Sequence, residues 1–355
     1  MTENINFKWD ENVSPQNWDN LLSQLNGHPL QSAKWGDSKK ASCGVKDHRW
    51  AVFKNELPVF LVRFEEKRIF KFLKIAWAPK GPVVVDKNDE VVLRKAFLSK
   101  LKKRGFIFCA TNPWEKIEFK KILNSVFYTI WIDLTLQKEE LWKNLHKQCR
   151  YDIRRAKKLG VIVEKTDSVD DFNAFYAACV SISETKGFNL GNAGQLMAYL
   201  FSEKNPGQVE SCLFVARHEG HICGGAFLMR SGENIHYLWG AVNRKFSHLC
   251  IGEALQWGVI EWALSMNCKK YDLEGISTTN SGNDKFKKRF SGKIVMCPGV
   301  KTYPLQMGSS IMLFLMNFYL WSRPGIIFIK NNFLFIPLRG IKNIVFRFFT
   351  KGFSK

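Results

Sequence analysis

The sequence predicts an α/β (α+β) protein made of two similar modules in tandem, each a mixed sheet flanked by helices. A chain of 355 residues has the length of two ordinary domains. Hydrophobic residues form 46% of the chain and aromatic residues 14%, which is enough for packed cores and excludes wholesale disorder. A similar order of helices, a strand pair, further strands, a helix and a closing strand occurs twice, with a break near residues 135–140.

The first half begins with a helix at 14–26 that has local start and stop signals. Ser14 is a typical N-cap, Pro15 suits the first helical position, and Gly27 follows the end. Apolar runs of strand length and one amphipathic helix follow. The strands are predicted at 48–53, 57–64, 83–85 and 106–110, and the helix at 89–104.

A strand at 126–135 closes the first half, and a strongly basic helix opens the second. This helix is predicted from about 138 to 159, because apolar residues recur at helical spacing between many Lys and Arg residues. The later elements are a strand at 161–164, helices at 169–186 and 193–203, a hairpin of 211–217 and 221–229, a strand at 234–239, a helix at 251–266 and a strand at 270–273.

Residues 267–292 contain the candidate site. A compact basic-aromatic segment, Phe286-Lys287-Lys288-Arg289-Phe290, follows the last of these strands and a polar loop. Two aromatic residues four apart lie on one face of a helical turn, so the cations point elsewhere. Such a segment suits an anionic ligand or a developing negative charge; the alternative is a solvated basic turn with two core aromatics.

The charge balance predicts a polyanionic partner. The chain has 53 Lys and Arg against 32 Asp and Glu, a net charge of +21 and a pI near 9.6. Nucleic acid, an anionic membrane face or a phosphorylated carrier would each fit. Nine cysteines without a CxxC pair indicate a reducing compartment and argue against a zinc site, and we expect no metal. No signal peptide, P-loop or GxGxxG motif is visible, so we expect a cytoplasmic protein.

The tail at 311–355 differs from the rest in composition. Its apolar runs are shorter than the ~20 residues of a spanning helix, and basic residues interrupt them. This pattern predicts contact with the inner face of the plasma membrane. The alternative is a tail that covers the core of the first module.

Several segments, taken in order and spacing, resemble the FemABX peptidoglycan-bridge aminoacyltransferases over about residues 28–305. They are Gln31-Ser32 with Trp35 and Lys39, Trp77-Ala78-Pro79-Lys80-Gly81-Pro82, Arg154-Arg155-Ala156-Lys157-Lys158-Leu159-Gly160-Val161, Phe214-Val215-Ala216-Arg217 with Gly220, Gly224 and Gly225, Tyr237-Leu238-Trp239-Gly240, Tyr271-Asp272-Leu273-Glu274-Gly275-Ile276, and Phe286-Lys287 with Phe290.

The resemblance implies two GNAT-like domains, one at 1–135 completed by about 301–310 and one at 136–300, without the helical arm of some members. It implies transfer of an amino acid from aminoacyl-tRNA to an amine of a lipid-linked muropeptide or another undecaprenyl-type carrier. Aminoacyl-tRNA is then a co-substrate, and no cofactor is needed. Asn112, Gly191 and Ser291 depart from the pattern of many members, which leaves the acceptor less defined than the fold.

The resemblance also assigns roles to single residues. Lys287, positioned by Phe286, is expected to stabilise charge at the reacting carbonyl, and Lys39 beside Trp35 to contact the carrier's pyrophosphate. The further expected substrate-binding residues are Arg154, Arg155, Lys288 and Tyr237. The residues themselves leave the base open. Asp272 and Glu274 flank the site and Asp272 is the candidate base, but strand-end carboxylates often only pair with nearby cations, and the ester leaving group or water could carry the proton instead.

Two other functions stay open. The same fold can serve an acyl-CoA-dependent N-acyltransferase acting on a cell-envelope sugar, but residues 243–252 contain one glycine and form a poor cradle for CoA. The chain could also be a non-catalytic binder of RNA or lipid at the membrane. The sequence leaves the amino acid, the acceptor and the oligomeric state open.

Overall fold

The structure is a computed structural model that describes residues 7–69, 72–117, 126–187, 190–202, 209–276 and 282–310. The predicted tail at 311–355, and with it the membrane contact, lies outside the described residues. None of the helices in those ranges has the length and apolarity needed to cross a bilayer.

The elements of the first module come first in the chain. They are β1 (Phe7–Asp10), α1 (Pro15–Gln24), α2 (Ala33–Cys43), β2 (Lys46–Lys54), β3 (Leu57–Ile69), β4 (Leu73–Ala78), β5 (Val83–Val84), α3 (Lys87–Lys103) and β6 (Phe106–Thr111).

The elements of the second module follow, and one last strand ends the described chain. They are β7 (Val126–Asp133), α4 (Lys138–Asn144), α5 (Lys147–Lys158), β8 (Ile162–Thr166), α6 (Val169–Lys186), α7 (Ala193–Ser202), β9 (Val209–His218), β10 (His221–Ser231), β11 (Asn234–Val242), α8 (Ile251–Ser265), β12 (Lys270–Ile276), α9 (Gly282–Lys288), β13 (Lys293–Pro298) and β14 (Lys301–Pro304).

Two mixed sheets organise these elements. The first has the order β1-β2-β3-β4-β6-β14, with β5 paired to β3, and the second has the order β13-β7-β12-β11-β10-β9-β8. In each sheet one parallel pair is joined through a helix, β4 with β6 and β11 with β12, and the other pairs are antiparallel. The fold is therefore the α/β fold of two mixed sheets that the sequence predicts.

The position of β7 corrects the predicted boundary at residue 135. β7 lies between β13 and β12 in the second sheet, so the second module begins with this strand and not after it. β14 pairs with β6, so the chain returns to the first sheet at residues 301–304. This return falls within the completion at about 301–310 that the resemblance implies. The place of β7 could not be read from the sequence, because a strand's partners are set by tertiary pairing and not by its own pattern.

The single basic helix predicted at 138–159 is wrong, because α4 and α5 are separate. Leu145 and His146 have extended backbone, with ψ angles of 145° and 141°. Nδ1 of the His146 ring accepts a hydrogen bond from the backbone N–H of Gln148 at 3.2 Å and so caps α5. The predicted start of the first helix agrees with the structure, since the Ser14 hydroxyl caps α1 by accepting a hydrogen bond from the backbone N–H of Asn17 at 3.3 Å.

Three hydrophobic cores hold the helices and sheets together. One lies between α3 and the first sheet, and one lies between the second sheet and α4, α5 and α8. The third fills the space between the two sheets and contains side chains of α1, α2, α6 and α7. The two modules therefore share a hydrophobic core.

Candidate active site

The parallel strands β11 and β12 separate after three residue pairs. Asn234 to His236 pair with Lys270 to Asp272, after which β11 continues to Val242 without a partner on β12. The corresponding strands of the first sheet, β4 and β6, stay paired to their ends at Ala78 and Thr111. The second sheet thus has an opening between parallel strands where the first sheet is closed.

Lys287 occupies this opening. Its side chain is fully buried, and Nζ donates hydrogen bonds to the backbone oxygens of Glu274 at 3.3 Å and Gly275 at 2.9 Å. The Tyr237 ring of β11 lies on its other side, with its centroid 5.9 Å from Nζ. The ammonium group is therefore fixed between the two strands.

The aromatic residues around Lys287 anchor the short helix that carries it. Phe286 and Phe290 meet edge to face with centroids 5.3 Å apart, and both pack on the core under α8. Lys288, the next residue, is exposed at the surface. The sequence predicted that the two aromatic residues of this segment share one face and that its cations point elsewhere. The geometry agrees.

A bulge in β12 shapes the floor of the site. The pairing of β12 with β7 shifts between Asp272 and Gly275, and Glu274 has a left-handed backbone with φ of 61°. This conformation is unfavourable for a residue with a side chain. Asp272 stabilises it, because its Oδ1 accepts the Glu274 backbone N–H at 2.7 Å.

Asp272 is held by donors on every side. Its carboxylate accepts from Thr129 Oγ1, from the Glu274 amide, and from the indole nitrogens of Trp114 at 2.7 Å and Trp131 at 3.0 Å. Burial, and after it the charge of Glu274, raise the pKa of Asp272. A carboxylate offers about four acceptor positions, and all four are used here. The geometry therefore favours a positioning role for Asp272 over that of the base proposed from the sequence.

Glu274 is the centre of a second cluster that joins the modules. Its Oε1 lies 2.8 Å from His28 Nε2 and 3.0 Å from His236 Nδ1, and its Oε2 lies 3.6 Å from Lys80 Nζ. Burial acts to raise the pKa of Glu274, but Lys80 and the two histidines outweigh it and hold that pKa well below the ordinary value. Glu274 is therefore a carboxylate, bound by groups from both modules.

His28 is neutral, and its tautomer is fixed. Burial lowers the pKa of His28 to about 3. Its Nδ1 accepts the Leu30 backbone N–H at 3.1 Å, so Nε2 carries the hydrogen and donates to Glu274.

This tautomer argues against a metal centre at His28, His236 and Glu274. Their ligand atoms lie within 4.8 Å of one another, close enough to suggest a metal site. A histidine ligand must offer a nitrogen without hydrogen, and the nitrogen of His28 that faces Glu274 carries one. The Lys80 ammonium at 3.6 Å from Glu274 also opposes a second cation. The cluster is a hydrogen-bonded network.

The remaining predicted residues lie on two sides of the second sheet. Trp35 of α2 stacks on Trp239 of β11 with centroids 5.9 Å apart, and half-buried Lys39 lies one helical turn further on. Arg154 and Arg155 are exposed on α5, which packs on the opposite face of the sheet. The structure thus brings Tyr237 and Lys287 together at the opening, with Asp272 in the last residue pair before it. It leaves the two groups of cations on separate faces.

Sequence reasoning missed the polar residues that surround the two carboxylates. These are His28, Lys80, Trp114, Thr129, Trp131 and His236. One signal was present in β11, where the polar residue His236 interrupts the run Ile235, Tyr237, Leu238 and Trp239.

Comparison with known proteins finds one matching domain family and several solved structures with a similar fold. Residues 143–288 match the family described as "Acetyltransferase (GNAT) domain". The crystal structure of FemX has a TM-score of 0.71 with 16% identity, over 84% of this chain and 97% of FemX. A protein of unknown function from Bacteroides thetaiotaomicron has a TM-score of 0.55 with 12% identity, over 83% of this chain and 100% of that one.

A third similar structure is the C-terminal domain of a putative lysylphosphatidylglycerol synthetase from Agrobacterium fabrum. Its TM-score is 0.53 with 12% identity, over 86% of this chain and 97% of that one. No curated protein matches the chain in sequence. The chain therefore has the two-sheet fold of FemX, and residues 143–288, within its second module, match the GNAT domain family.

Proposed function

We propose that the protein transfers an amino acid from aminoacyl-tRNA to an amine of a lipid-linked cell-wall precursor. The observation that carries this proposal is the buried ammonium of Lys287 in the opening between β11 and β12. The resemblance to the FemABX aminoacyltransferases gives the reaction class, and the GNAT domain over residues 143–288 supports acyl transfer.

The chemistry is aminolysis of an ester. The amine attacks the carbonyl carbon, the carbonyl oxygen gains negative charge, and the ribose oxygen of the tRNA leaves. A cation that is held in place before the reaction stabilises that charge by about 3–4 kcal/mol in comparable oxyanion sites. The carbonyls of Glu274 and Gly275 hold Lys287 in this way.

The distribution of charge supports two anionic substrates. The chain has a net charge of +21. Arg154 and Arg155 on α5 suit the phosphates of a tRNA, which lysine and arginine bind without reading sequence. Lys39 beside Trp35, on the other face of the second sheet, suits the pyrophosphate of the carrier. A lipid-linked acceptor of this kind would bring the protein to the inner face of the cytoplasmic membrane.

An acyl-CoA-dependent N-acyltransferase acting on a cell-envelope sugar is the second candidate. The match to an acetyltransferase domain favours it. The segment before α8 argues against it, because it is a 3₁₀ turn, Arg244–Leu249, followed by Cys250 with a left-handed backbone at φ 55°. It lacks the run of glycines whose amides would approach a pyrophosphate closely.

The experiment compares donors and one pair of lysine variants. Purified protein receives labelled aminoacyl-tRNA or labelled acetyl-CoA, each with a lipid-linked muropeptide. We expect label transfer from the tRNA, and a loss of about 100- to 1,000-fold in kcat for Lys287→Met. Lys285→Met removes an exposed lysine of the same helix and should keep wild-type activity. Transfer from acetyl-CoA alone would replace the first proposal by the second, and transfer from neither donor would overturn both.

A further inference from the structure

His236 lies at the base of the opening between β11 and β12. It forms the last residue pair of these strands, opposite Asp272, before they separate. Its imidazole is fully buried, with the rings of His28 and Trp114 at centroid distances of 4.2 Å and 4.8 Å. The side chain is therefore held in one orientation beside the candidate site.

The hydrogen bond to Glu274 fixes the tautomer of His236. Glu274 is a carboxylate and can only accept, so Nδ1 of His236 carries the hydrogen and donates at 3.0 Å. In the neutral imidazole the lone pair is then on Nε2, which is buried and has no hydrogen-bond partner in the described part of the chain. Leaving a buried acceptor unpaired costs about 1–3 kcal/mol, and such atoms in native structures often have a function.

Glu274 contacts both His236 and the Lys287 that occupies the opening. Its side chain orients the imidazole of His236, and its backbone oxygen receives the ammonium of Lys287 at 3.3 Å. A histidine works as a general base when its Nδ1–H donates to a carboxylate and its Nε2 is open to accept a proton.

We propose that His236, oriented by Glu274, accepts the proton that the attacking amine loses. This proposal rests on the proposed function. The amine nitrogen forms a bond to the carbonyl carbon, and its excess proton moves to Nε2. The bond from the carbonyl carbon to the ribose oxygen then breaks, and the leaving oxygen takes the proton from His236. Glu274 stays a carboxylate and stabilises the imidazolium, and Lys287 stabilises the oxyanion.

His28 supplies a matched control. It also donates to the same oxygen of Glu274, at 2.8 Å, but its other nitrogen is used by the Leu30 amide. It therefore has no lone pair to offer. A glutamine at either position can still donate to Glu274, and only at position 236 does the substitution remove an available basic nitrogen.

The test measures transfer by His236→Gln and His28→Gln, after urea unfolding has shown that both variants are folded. We expect kcat to fall about 100-fold or more for His236→Gln, the usual contribution of a general base, with little change in KM. His28→Gln should stay within about fivefold of the wild type, since no proton transfer is lost. For His236→Ala, added imidazole should restore part of the rate.

A second measurement is independent of activity. The ¹⁵N spectrum of histidine-labelled protein should show His236 with hydrogen on Nδ1 and none on Nε2, assigned with His236→Gln. Hydrogen on Nε2 would overturn the proposal even if no transfer can be measured. Equal kcat for the two glutamine variants in an active enzyme would overturn it as well. A wild-type protein that transfers label from neither donor would overturn the proposed function and, with it, the role of His236 in that reaction, whatever tautomer the spectrum shows.

Discussion

At the scale of single residues, two carboxylates two positions apart have opposite environments. Asp272 accepts four hydrogen bonds from neutral groups, whereas Glu274 is surrounded by Lys80 and two histidines. The sequence showed both carboxylates and the lysine of the site, because Lys287 stands in a recognisable basic-aromatic segment. It could not assign the roles of the two carboxylates, because these depend on distant residues such as His28, which is 246 residues from Glu274.

Asp272→Asn should destabilise the protein. The amide has one oxygen in place of two, and an NH₂ group in place of Oδ2 would face the indole N–H donors of Trp114 and Trp131. Each buried donor left unpaired costs about 1–3 kcal/mol, so we expect the free energy of unfolding to fall by about 2–4 kcal/mol. Urea unfolding at pH 7 measures this change. Thr129→Ser, which keeps the hydroxyl donor, is the mild control, and equal stability of both variants would contradict the four-donor arrangement.

At the scale of elements, local signals determined what could be predicted. The start of α1 was predictable because a cap lies within four residues of the group it binds, as at Ser14. The break between α4 and α5 was not, because His146 is an uncommon cap and neither Pro nor Gly marks the place. The opening between β11 and β12 was also hidden, since divergence of paired strands is a tertiary property.

Asp19 of α1 brings a partly buried carboxylate to the start of α2, and this carboxylate should make the stability depend on pH. Asp19 accepts the backbone N–H groups of Ala33 at 2.6 Å and Lys34 at 3.2 Å. Burial raises the pKa of Asp19 to about 6, above its value in the unfolded chain. Between about pH 4 and pH 6 the folded state therefore binds more protons, so the free energy of unfolding falls as the pH rises, by about 2–3 kcal/mol.

Asp19→Asn should remove this contribution and make the stability less dependent on pH. Asp47 has its pKa raised by burial to about 6 as well, so a second fall of the same sign remains in the variant. Urea unfolding at pH 4.5 and pH 7 gives the two free energies. An unchanged difference between these pH values would show that Asp19 does not titrate as described.

At the scale of the whole molecule, the shared core makes the modules one structural unit. Trp35 of the first module is 7% exposed and stacks on Trp239 of the second, with an angle of 9° between the rings. The sequence predicted two modules from the repeated order of elements. It could not predict that α1 and α2 pack with α6 and α7 in one core, because contacts between modules leave no periodic signal.

Trp35→Ala should lower the stability of both modules together. A buried tryptophan replaced by alanine costs about 3–5 kcal/mol, and the cavity would lie in the core that both modules share. We expect a single transition at a lower temperature in differential scanning calorimetry. Val92→Ala, at a position that is 57% exposed on α3, should leave the transition unchanged. Two separate transitions, of which only one shifts, would mean that the modules unfold independently.

The return of the chain at β14 constrains how the protein can fold during synthesis. β6 has β4 on one side, and its other edge stays unpaired until residues 301–304 have left the ribosome. The core between the sheets is also incomplete until α6 and α7 have been made. An exposed strand edge is a site where chains aggregate. The first half should therefore be a client of chaperones until the second is made, and nascent chains that end before residue 301 should remain sensitive to protease in the first module.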